Sequence, residues 1–134
     1  MTEYQIELVK YRLQKSEDTL NDAVYLAIGK KWNSSANRLY YSAYYSVQAL
    51  LMCHELSSKT HKGARQLFHQ NFIQNNTIEK ELGDLYTQLF EARQESDYQD
   101  FSEQTEESIN YFISKTRLFI SQIKEFIELN CLNN

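Results

Sequence analysis

The sequence predicts an all-α, up-and-down helical bundle of about five helices, and three observations lead there. The chain has 134 residues with three Gly and no Pro, so it lacks the residues that β-rich folds use for turns and bulges. Its apolar residues recur at helical spacing over long stretches. Its length suits one domain spanning 1–134, and Leu, Ile, Val and Phe supply 34 residues. That is enough for a core, yet too interrupted by charge for a bilayer span.

The first helix is predicted over 3–28, with Ile6, Val9, Leu13, Leu20, Val24 and Ala27 on one stripe. Gly29 follows as its C-cap, with Lys30 and Lys31 placed at the negative helix end. The second helix should begin after Asn33 or Ser34, either of which can cap it, and run to about Glu55. One of its faces carries Ala36, Tyr40, Ala43, Val47 and Leu50, and the opposite one Tyr45, Ala49 and Met52. A helix apolar on two sides has neighbours on two sides. This one is therefore the central helix, its second face meeting another helix or a second chain.

A short third helix is predicted over about 62–73, with Ala64, Leu67, Phe68 and Phe72. Asn76 followed by Glu79 suggests the start of the fourth, which carries Ile78, Leu82, Leu85, Leu89 and Ala92. The acidic stretch 95–108 breaks the rhythm. The fifth helix has the clearest stripe, Ile109, Phe112, Thr116, Phe119, Ile123 and Phe126, flanked by Ile113, Ile120 and Ile127.

Charge is unevenly spread. Residues 1–75 carry nine basic and six acidic side chains, residues 76–134 five and twelve, so the first part is the better place for an anionic ligand. Cys53 and Cys131 fit neither a disulfide framework nor a zinc motif. With no apolar run following basic residues at the N-terminus, a cytoplasmic setting is expected. No metal or cofactor is expected, because HExxH, Walker-type and dinucleotide motifs are all missing.

Three constellations carry chemistry. Four Tyr fall within residues 40–45, and Arg38, Tyr41 and Tyr45 are spaced so that a guanidinium and two phenols could flank a phosphate or a base. The alternative is that Tyr40 and Tyr44 pack in the core while Tyr41 and Tyr45 cover an interface. His61 and Lys62 open the third helix, where free amides and the dipole favour anions. Arg93 flanks the stripe of the fourth helix with Asp97 at i+4, an arrangement that serves either a structural ion pair or a ligand.

Asn37-Arg38-Leu39-Tyr40-Tyr41-Ser42-Ala43-Tyr44, then His61-Lys62-Gly63, then Arg93 before Asp97-Tyr98, taken in order, resemble the HEPN family, and more narrowly its small single-domain prokaryotic members. The resemblance spans nearly the whole chain. It implies an all-α bundle, commonly a homodimer and often paired with a minimal nucleotidyltransferase in a toxin–antitoxin system. Many members are metal-independent ribonucleases with Arg, four to six residues, then His. Here no His follows Arg93, and Tyr98 stands near the place of the motif imidazole. A phenol near pKa 10 is a poor base at neutral pH, so no efficient ribonuclease is expected. In the toxin-like branch a partner can modify a Tyr near the motif, for which Tyr98 is the candidate by position.

The expected function is thus a dimeric binding module for a nucleotide or RNA phosphate near Arg38, Tyr41, Tyr45, His61, Lys62, Arg93, Asp97 and Tyr98. The dimer contact is expected on the second face of the central helix. The alternatives are a divergent ribonuclease and a purely structural helical dimer.

Overall fold

The computed structural model describes residues 1–98 and 103–132, the side chain of Tyr98 excepted. Among these residues there are five α-helices and no strand: α1 (Glu3–Ile28), α2 (Trp32–Cys53), α3 (His61–Phe68), α4 (Lys80–Tyr98) and α5 (Glu106–Ile127). A π-helical turn prolongs α3 over His69–Ile73, and another prolongs α5 over Glu128–Leu132. Among the described residues no helix is long and apolar enough to cross a membrane.

α1 runs where the sequence places it, and its ends show why. Thr2 and Gln5 exchange bonds across the first turn in a capping box. At the other end Gly29 keeps an ordinary φ of −82°, and the left-handed residue is Lys30, with φ 60°. The amide of Lys31 reaches back to the Leu26 carbonyl, so the reversal falls one residue later than expected.

α2 is central, touching α1, α3, α4 and α5. Its expected core face, Ala36, Tyr40, Ala43, Val47 and Leu50, is buried throughout. The other face is covered by α1. Ser16 and Ser42 each donate to the other's backbone carbonyl, at 2.6 and 2.7 Å, and Ser35 donates to the Ala23 carbonyl at 2.9 Å. These pairings make α1 and α2 antiparallel. Small residues at seven-residue steps, Ser35, Ser42 and Ala49, let the two backbones approach. Ala49 is fully buried in this way. Another helix of the same chain thus meets the second face at Ala49, while Tyr45 and Met52 on that face stay half-exposed.

Helix starts differ where side chains are engaged elsewhere. α2 begins at Trp32 with Lys31 at its cap position, because the Asn33 side-chain oxygen Oδ1 accepts the Gln104 backbone N–H at 2.7 Å and so anchors the approach to α5. Asn76 does not cap α4; it takes a left-handed φ of 61° in the preceding turn. α4 then continues to Tyr98, so the acidic stretch is helical at its start. Gly83 allows the π-helical turn close to α4, since a Cβ there would lie 3.0 Å from both His69 and Ile73 side-chain atoms.

The core is threaded by aromatic rings that end at the tyrosine-rich part of α2. Phe72 meets Phe68, Phe68 packs edge-on to Tyr86 and Phe119, and Tyr86 stacks on both Phe119 and Tyr40. Each such pair contributes about 0.5–1.5 kcal/mol beyond its buried area, so Tyr40 is held from behind by α3, α4 and α5 together. Cys53 and Cys131, which fit no disulfide framework in the sequence, are brought side by side with Cα atoms 5.9 Å apart.

Candidate functional site

The site grows outward from Tyr40. Its ring is fully buried between Tyr44 and Tyr86, both nearly parallel at 5.9 Å, with Phe90 edge-on at 5.8 Å. Its hydroxyl meets His61 Nδ1 at 2.9 Å, and Tyr41 Oη stands 3.4 Å from His61 Nε2. Burial pushes the Tyr40 phenol up to about 12, partly opposed by the Tyr86 hydroxyl and the Arg93 charge. Burial and then Arg93 lower the His61 pKa. The imidazole is consequently neutral at pH 7, with one donor and one acceptor nitrogen, which two phenols can satisfy together.

Arg93 is buried, with its guanidinium 5.0 Å from the Tyr40 ring centre and 5.8 Å from that of Tyr41. Asp97 lies 3.7 Å from its Nη1, in the expected i+4 geometry. Arg38 comes from the other side, 4.9 Å over the same Tyr41 ring. The Asn37 carboxamide links the two arginines: its oxygen accepts from Arg38 Nε and Nη2 at 3.0 and 2.7 Å, while its nitrogen donates to Asp97 at 3.1 Å. Asn33, Ser34, Asn37, Arg38, Ser96 and Asp97 line a cleft of about 590 Å³ beside this cluster. It is polar, open and edged by Arg38.

Most of the expected residues therefore converge. Arg38, Tyr41, His61, Arg93 and Asp97 form one network, and Tyr45 extends it through the Tyr41 ring at 6.0 Å. Lys62 is exposed on the first turn of α3, beside the cluster in sequence but with its ammonium outside the network. The Tyr98 side chain lies outside the described residues. Tyr40 and Tyr44 pack in the core, while Tyr41 and Tyr45 are half-exposed. Sequence reasoning missed Asn37 as the link between the arginines, although it precedes Arg38 directly. It also missed Phe90 and Tyr86, whose spacing from Arg93 places all three on one side of α4.

Gly63 positions His61. Thr60 caps α3 by accepting the Gly63 amide at 2.9 Å, and a Cβ on residue 63 would collide with Ser58 Oγ and come within 2.8 Å of Thr60 Oγ1. Gly63→Ala is expected to dislodge this cap, cost about 1–2 kcal/mol, and shift the His61 NMR resonances. An unchanged melting temperature together with unshifted His61 signals would contradict that role.

All three histidines have lowered pKa values, His54 by burial, His61 by burial and Arg93, and His69 by burial and Arg65 against Asp84. Their neutral forms are favoured in the native state. The unfolded chain thus binds more protons once pH falls through about 6.5. Stability is fully present above that pH and is expected to decline as pH drops from about 7 to 5. A melting temperature that is flat or rises over that interval would contradict the neutral assignments.

The comparisons agree with this architecture. The HEPN domain family matches residues 9–126. A UPF0332 protein of Thermotoga maritima is 33% identical over 122 residues, covering 91% of this chain and 92% of the relative. A Methanocaldococcus jannaschii protein, provisionally named as a toxin, is 30% identical over 124 residues, covering 92% of this chain and 84% of the relative. A second protein of that organism with the same provisional name is 27% identical over 122 residues, 91% and 90% of the two chains. The chain belongs to the HEPN family.

Proposed function

We propose that this HEPN protein is toxin-like and binds a nucleotide or RNA phosphate between Arg38 and Arg93, acting in the cytoplasm as a dimer with a minimal nucleotidyltransferase partner. One observation carries the binding reading: guanidinium groups from α2 and α4 both lie against the Tyr41 ring, at 4.9 and 5.8 Å. Guanidinium groups pair with phosphate through charge-assisted hydrogen bonds. The names of the two Methanocaldococcus relatives support the toxin-like part.

The test is thermal melting with a 5′-mononucleotide. Ligand at a hundredfold excess over Kd stabilises the native state by about 2.7 kcal/mol, and Arg38→Ala is expected to abolish the shift. No shift at millimolar ligand would reject the binding reading. Purification with the product of a neighbouring nucleotidyltransferase gene tests the partner, and a chain that elutes alone would reject it.

A second reading, a divergent metal-independent ribonuclease, is favoured by the position of His61. Its ring lies 5.5 Å from Tyr40, and the Arg93 guanidinium lies 5.0 Å from the same ring. An imidazole from α3 and the arginine of α4 thus share the Tyr40 ring although no His follows Arg93 in sequence, and the imidazole would serve as acid/base while Arg93 stabilises phosphate charge. RNA cleavage that disappears in both His61→Ala and Arg93→Ala supports this reading. Cleavage surviving His61→Ala removes it.

A further inference from the structure

α1 and α2 present a run of cations and phenols that continues away from the Arg38–Arg93 site. Lys15 Nζ lies 4.5 Å over the Tyr45 ring and 5.9 Å from that of Tyr11. Tyr45 is 6.0 Å from Tyr41, over which Arg38 sits. Arg12, one turn before Lys15, reaches the Gln48 carbonyl, and Gln48 donates to the Tyr44 hydroxyl at 2.7 Å. Because the helices are antiparallel, the path descends α2 from Arg38 while it ascends α1 to Tyr11. It covers about ten residues of helix, or roughly 15 Å.

The cations of this face are held against rings and not against carboxylates. Among the described residues, Arg12, Lys15 and Arg38 have no carboxylate within 4 Å, a condition most other cations of the surface share. Of the neighbouring acids, Glu7 faces Lys10 and Asp18 accepts from Gln14 at 3.0 Å, while the exposed Asp22, seven residues after Lys15, shares its face of α1 near the Arg38 end. Tyr11 is 61% exposed and Tyr41 and Tyr45 are half-exposed, so their rings remain reachable. Cations held against phenol rings along a ridge suit a flexible polyanion with exposed planar bases. A duplex, its bases stacked inside, could not use the rings.

We infer that the phosphate site continues onto α1 as a track for a single nucleic-acid strand, in which Lys15 and Arg12 take the phosphates beyond the one at Arg38 and Tyr45 and Tyr11 meet the bases. The inference rests on the reading of Arg38 and Arg93 as a phosphate site and adds length and direction to it. The track corresponds to roughly four nucleotides at the ~3.4 Å rise of a stacked strand.

Fluorescence anisotropy with labelled oligouridylates of one, three and six nucleotides tests it on the full chain. Affinity is expected to rise with length up to about four nucleotides. Lys15→Ala should flatten that rise and reduce the slope of log K against log salt by about 0.7. Lys10→Ala, on α1 but tied to Glu7, is the control that leaves the slope unchanged. Hexamer binding no tighter than mononucleotide, or a Lys15→Ala slope equal to that of the original protein, would overturn the track while the Arg38–Arg93 site stands. Failure of every oligonucleotide to bind would overturn both. Polyglutamate competing as well as RNA of equal charge would show a track for acidic protein and overturn the nucleic-acid assignment.

Discussion

Arg93→Ala is expected to weaken phosphate or RNA binding by about tenfold to a hundredfold, the 1.5–3 kcal/mol of a charge-assisted hydrogen bond, and also to destabilise the fold. Its guanidinium is buried, lies over Tyr40 and Tyr41, and pairs with Asp97. Removing one partner of a fully buried pair costs about 3–5 kcal/mol. The Asp97 side chain is 27% exposed and water can hydrate it, which brings the expected cost to about 2 kcal/mol. Arg93→Lys separates the two effects. It keeps a charge but loses the planar contact with the rings and the forked geometry, so binding should fall more than stability. Equal binding by the Ala variant and the original chain would contradict a phosphate role for Arg93.

Tyr40→Ala is the substitution expected to damage the fold most. It removes a fully buried ring in contact with Tyr44, Tyr86, Phe90 and His61, and such truncations cost about 3–5 kcal/mol. For a chain of this size that lowers the melting temperature by about 10 °C or more. Tyr40→Phe keeps the ring and deletes only the hydroxyl at His61 Nδ1, with an expected cost of about 1–2 kcal/mol. A Phe variant as unstable as the Ala variant would mean that the hydrogen bond, and not the ring stack, holds this corner. A Phe variant with unchanged His61 chemical shifts would contradict the Tyr40–His61 bond.

Periodicity made the bundle legible because it reports burial directly. The stripe of α5 is an example: Ile109, Thr116, Phe119 and Ile123 are buried, with Phe112 and Phe126 packed against the core. Caps were less legible, since they depend on what else claims the side chain. Asn33 is drawn to Gln104, and Asn76 prefers its left-handed turn. The close packing of α1 on α2 was written in Ser35, Ser42 and Ala49, but small polar residues carry no weight in a count of apolar ones. Aromatic spacing on α2 placed Arg38 beside Tyr41. The meeting of His61 and Arg93 on the Tyr40 ring was hidden, because it depends on how α3 and α4 both lean on Tyr40, a tertiary fact without a local signal. The closeness of Cys53 and Cys131 was hidden for the same reason.

The central claim is that Arg38 and Arg93 act on one bound phosphate, and a double-mutant cycle measures this most directly. Oligouridylate affinity would be determined for the original chain, Arg38→Ala, Arg93→Ala and the double variant. Groups sharing one ligand atom or one supporting ring couple by about 0.5–3 kcal/mol, so the double variant should lose clearly less than the two single losses combined. Losses that simply add, or no loss from either arginine, would mean that the two guanidinium groups beside Tyr41 serve packing and not a shared anion.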